Sequence, residues 1–69
     1  MEAEARHVTQ HLASMPGLAH AVVTRKVARE IIQSCGGQMM LQGYLYEVTT
    51  KSAGAGLLRI STRRWKEGT

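Results

Sequence analysis

Residues 18–35, LAHAVVTRKVAREIIQSC, decide the fold, because they admit two readings and the segments on either side follow from the choice. At 100° per residue, Ala21, Val23, Val27, Ala28, Ile31, Ile32 and Cys35 fall within one half of a helical wheel. Arg25, Lys26, Arg29, Glu30 and Gln33 fall on the other half. Leu18 and Val22 do not fit, since both land on the polar side. One continuous helix over 18–35 leaves those two to be buried by something else. A break near Thr24, a good N-cap residue, starts the helix at Arg25 and removes the need to place them. Gly36-Gly37 ends the helix in either case, because glycine tolerates the left-handed backbone of a C-terminal cap.

Upstream, residues 2–14 read as a helix whose stripe is Ala5, Val8, Leu12 and Met15. Glu2 and Glu4 sit in its first turn, where the helix dipole favours negative charge. Ser14-Met15-Pro16-Gly17 stops it, since proline removes a donor and glycine permits the turn. The connection is short, so the next helix is expected to pack back on the first.

Downstream, QMMLQGYLYEVTT (38–50) switches to period two. Tyr44, Tyr46 and Val48 share one face, and Leu45, Glu47 and Thr49 share the other. Gly43 suggests a bulge or bend in that strand. Lys51–Gly56 is a glycine-rich loop. Residues 57–65 (LLRISTRRW) alternate again, with Leu58, Ile60 and Thr62 opposite Leu57, Arg59, Ser61, Arg63 and Trp65. The expected fold is therefore α+β: a single small domain with two N-terminal helices (2–14 and 18–35, whole or broken near 24), then a two-stranded antiparallel β-hairpin (38–50 and 57–65). An isolated hairpin needs a helix or a further sheet on its apolar face.

Composition narrows the function. A 69-residue chain has room for one domain and buries only about 60% of its exposable surface on folding. Such domains lean on disulfides, a metal or a second copy. Cys35 is the one cysteine, so no internal disulfide forms. The histidines are His7, His11 and His20, aspartate is absent, and no CxxC occurs, so no metal site is expected. A homodimer is the remaining route to a larger core. A lone cysteine argues against a secreted disulfide scaffold, and the opening MEAEARHVTQ carries no signal-peptide pattern. No apolar run approaches the roughly 18 residues of a membrane span. The expected location is the cytoplasm, with no membrane partner.

No catalytic set is present. Every carboxylate is a glutamate in a solvated pattern, and Cys35 falls on the apolar stripe, where a thiol is buried and inert. The glycines of AGAG lack the strand–loop–helix setting of a phosphate loop. The chain is expected to be a binding protein without catalytic residues, cofactor or small-molecule substrate.

Two candidate surfaces emerge. The net charge is +4, from nine basic and five acidic residues. Residues 1–23 carry Glu2, Glu4 and Arg6, and the basic excess falls in 24–69. Arg25, Lys26, Arg29 and Gln33 lie on the helix; Lys51, Arg59, Arg63 and Arg64 lie on the hairpin, with Lys66 beside Trp65. Arginine suits phosphate because its planar fork donates in pairs. A basic helix followed by a basic hairpin resembles the layout of winged helix-turn-helix domains, although the first helix expected there is missing or shortened. That resemblance implies double-stranded DNA as the partner, with the helix in the major groove and the hairpin on the backbone, in a transcriptional regulator. AREIIQSCGG (28–37) is also similar to the helix-to-glycine segment of Mor-type phage activators, over those ten residues. The second surface is apolar: Leu18, Val22, Met39, Leu41, Tyr44, Tyr46 and Trp65 are the expected contacts for a partner protein, as an inhibitor or adaptor would use. A homodimer would instead pair residues 38–46 with those of a second copy.

Overall fold

The computed structural model describes residues 2–65. In chain order the elements are α1 (Ala3–Ser14), β1 (His20–Thr24), α2 (Arg25–Cys35), β2 (Gln38–Leu41), β3 (Tyr44–Gly54) and β4 (Leu57–Arg64). The strands form one antiparallel sheet in the order β1-β4-β3-β2. The class is α+β, but the expected pair of helices plus a two-stranded hairpin is replaced by two helices on a four-stranded sheet.

Two segments account for the difference. His20–Thr24, expected as helix, is a strand paired with Leu57–Ser61. Ala21 and Val23 lie on one side of it and His20, Val22 and Thr24 on the other. Val22, which misfits a helical wheel, simply occupies the outer face of a strand. The helix begins at Arg25, and Thr24 Oγ1 accepts the Val27 N–H at 3.2 Å as its N-cap. At the other end Gly36 takes φ +67° and donates to Ile32.

The second difference lies in residues 38–50, expected as one strand with a bulge at Gly43. They form a hairpin of their own, β2–β3, turning at Gln42-Gly43. Both turn residues have positive φ, 52° and 83°, the pattern of a type I′ turn, whose twist matches paired strands. The β3–β4 hairpin repeats the device at Ala55-Gly56 (φ 52° and 75°), with an irregularity in register between Ser52 and Gly54. Residues 38–41 and 44–47 therefore pair with one another, and β2 is an edge strand of the sheet.

Both helices cover one face of the sheet. Ala5, Val8 and Leu12 of α1 meet Val27, Ala28 and Ile31 of α2 over Val23, Met39 and Ile60. Leu12, Ile31 and Ile60 are the largest fully buried side chains. The loop between α1 and β1 is tied to the sheet by Gly17 N–H, which donates to the buried Thr62 Oγ1 at 2.9 Å. The other face of the sheet carries no helix among the described residues. Cys35 is half-buried against the core, with Sγ 3.9 Å from the Ile32 carbonyl.

Candidate nucleic-acid interface

The residues expected to contact DNA fall on two opposite sides of the sheet. Arg25, Lys26, Arg29 and Gln33 are all exposed on α2, in the helix layer. The buried stripe Val27, Ala28 and Ile31 faces the sheet, which forces the polar stripe outward. Glu30, the one acidic residue of α2, is half-buried, and its Oε2 atom has no hydrogen-bond partner among the described residues. Arg25, Lys26 and Arg29 form no ion pair with any described residue. Beside them runs an open groove of about 460 Å³, lined by Arg25, Arg29, Gln33 and Ile32 on one wall and Thr50 and Leu58 on the other.

Lys51, Arg59 and Arg63 point the opposite way. Leu58, Ile60 and Thr62 turn toward the helices, so the alternation of β4 sends Arg59, Ser61 and Arg63 to the open face. Lys51 stands directly across from Arg59, and Glu47 across from Arg63. Arg63 Nε donates to Glu47 Oε1 at 2.7 Å in an ion pair. Arg59 Nη2 donates to His20 Nε2 at 3.3 Å, and Thr49 and Ser61 hydroxyls meet at 3.0 Å. Arg64 shares the helix-side face with Tyr44, its guanidinium stacked 3.7 Å from the ring centroid. Lys66 lies outside the described residues. The winged layout, in which helix and hairpin charges meet one duplex, is thus not formed: α1 and α2 are joined through a strand, and Arg59 and Arg63 lie on the opposite face of the sheet from the helices.

The apolar set is divided as well. Met39 and Tyr46 are buried in the core and Leu41 packs partly against it. Leu18 (79% exposed) precedes β1 and Val22 (56%) lies within it, whereas Tyr44 and Trp65 are exposed toward the far end of β3–β4. Trp65 N–H donates to the Leu45 carbonyl at 2.8 Å, which extends the ladder by one residue. Met40, Leu45 and Trp65 then form an apolar row across the open face.

Sequence reasoning missed His20 as a neighbour of Arg59, because a helix over 18–35 keeps the two apart. Met40, part of the apolar run over 39–45, is exposed because the turn at Gln42-Gly43 sends it to the open face. His11 Nε2 donates to the His20 carbonyl at 3.2 Å, so this histidine serves the connection between α1 and β1. Among the described residues no three His, Cys, Asp or Glu side chains gather as metal ligands, and no helix is long and apolar enough to cross a membrane. No family model, curated protein or solved structure matches the chain.

Proposed function

We propose that this chain is a small DNA-binding protein that meets a duplex with the exposed face of α2. The observation that carries the proposal is the alignment of Arg25, Lys26, Arg29 and Gln33 along one exposed helix face, with the helix's single carboxylate half-buried. Eleven residues make a helix of roughly 16 Å, and a helix with its side chains matches the width of the major groove. Arginine at such positions contacts phosphate or guanine, and glutamine can pair with adenine. The groove between α2 and the β3–β4 hairpin leaves room for a backbone strand beside the helix.

Three cations at the interface correspond to a salt slope of about −3 in log K against log salt. Gel shifts of a duplex over a salt series test this. The triple variant R25E/K26E/R29E is expected to lose at least about a hundredfold in affinity, since each reversed phosphate contact costs on the order of 1 kcal/mol or more. Absence of duplex binding, or binding insensitive to both salt and the triple reversal, overturns the proposal.

A further inference from the structure

We infer that the open face of the sheet holds a second, separate site, for a phosphate group, built by Lys51 and Arg59 and framed by His20 and Ser61. These residues, with Gly17, Leu18 and Ala19, line one cleft of about 210 Å³ at the β1 edge. Lys51 and Arg59 are direct cross-strand neighbours. Like charges opposite each other destabilise a sheet, and neither forms an ion pair with a described residue. A bound dianion removes that repulsion and becomes the shared acceptor of both.

The chemistry fits phosphate in particular. Arg59 spends one N–H on His20 Nε2, which can only accept from a guanidinium, and this bond holds the fork over the cleft. The remaining N–H groups of its planar fork suit a tetrahedral oxyanion, and the Lys51 ammonium adds a compact charge from the adjacent strand. The Ser61 hydroxyl, hydrogen-bonded to Thr49, completes the donor set when Thr49 donates to it. The exposed Leu18 and Val22 beside the cleft offer apolar contact to the organic part of a phosphorylated ligand. The site does not rest on the α2 proposal, since the sheet separates the two.

The test is a heteronuclear NMR titration of the full chain with inorganic phosphate, with a mononucleotide and with a short duplex. Saturable shifts at His20, Lys51, Arg59 and Ser61 are expected with phosphate. K51Q/R59Q, two exposed positions whose folding is checked by circular dichroism, should weaken the binding about tenfold or more, the loss of at least one charge-assisted hydrogen bond. R25E/K26E/R29E should leave it unchanged, so failure of either surface is seen apart from the other. Stronger shifts of the same residues by the duplex assign the phosphate to nucleic acid, and shifts by phosphate and mononucleotide alone assign it to a small phosphorylated molecule; either supports the site. No saturable shift there, shifts centred on residues 25–33, or affinity untouched by K51Q/R59Q overturns it.

Discussion

The two basic surfaces hold their charge in different ways. On α2 the cations sit on an exposed helical stripe, with no acidic partner among the described residues to fix their long side chains. On the open sheet face the register fixes each charge against a neighbour: Lys51 against Arg59, Arg59 against His20, Arg63 against Glu47. A free stripe adapts to a long polyanion whose phosphates recur, and a fixed cluster presents one geometry to one anion. The same residue types therefore point to an extended ligand on one side and a compact one on the other. What separates them is a single sheet, since Arg59 and Ile60 are adjacent residues that face opposite ways.

That shared sheet sets the largest effect. Ile60 is fully buried beneath both helices, and its backbone pairs with both β1 and β3. Ile60→Ala should cost about 2–5 kcal/mol from lost burial and the cavity left behind. For a chain this small that is a large part of the total stability. Urea or thermal unfolding should show it, and duplex and phosphate binding should fail together. Retention of one activity after such a loss would mean that its surface does not depend on the sheet.

A smaller change should separate the two. Thr24→Ala removes the N-cap of α2 and is expected to cost about 1 kcal/mol. The damage falls on the first turn, which carries Arg25 and Lys26. Hydrogen exchange at Val27 should quicken and duplex affinity should drop, while phosphate binding at Lys51 and Arg59 stays as it is. An equal loss on both sides would show that the cap supports more than the helix.

How much of this was legible follows from which periods were unambiguous. Residues 57–65 alternate cleanly, and the split of Ile60 and Thr62 from Arg59 and Arg63 stands in the structure. That split already implied that Arg59 and Arg63 turn away from any helix packed on Ile60, a consequence at odds with the winged layout. Residues 19–27 were not legible. Ala19, Val23 and Val27 recur every four residues and Ala19, Ala21 and Val23 every two, so the same apolar residues satisfy a helix and a strand. Val22, like Leu18 just before this segment, is the residue that a helical wheel leaves on the polar side. The β2–β3 turn was hidden because glutamine at Gln42 is not a turn residue, unlike the asparagine or aspartate that usually precedes glycine there. Without that turn the sheet lacks an edge strand, and without β1 the Arg59 cluster lacks His20. The phosphate cleft therefore depends on one of the two elements the sequence concealed.

The smallest effect concerns the charge between the clusters. Glu47 holds Arg63 in an ion pair whose arginine side is 74% exposed. Such pairs contribute at most about 1 kcal/mol, and the amide of Glu47→Gln still accepts from the guanidinium, so stability should change by less than about 0.5 kcal/mol. The electrostatic consequence is one more positive charge on the open face. Glu47 lies across from Arg63, four residues along β4 from Arg59, or roughly 13 Å at the usual strand rise. A unit charge at that distance in water is worth about 0.3 kcal/mol, so about 0.6 kcal/mol against a phosphate dianion, which is at most about a threefold gain in phosphate affinity at low salt and falls further beyond the Debye length. Isothermal titration with phosphate at two ionic strengths would measure it. A gain well above about threefold would place Glu47 in the cleft itself and extend the site along the strand toward Arg63. A gain in duplex affinity of similar size would show that the open face, and not α2 alone, lies against the DNA.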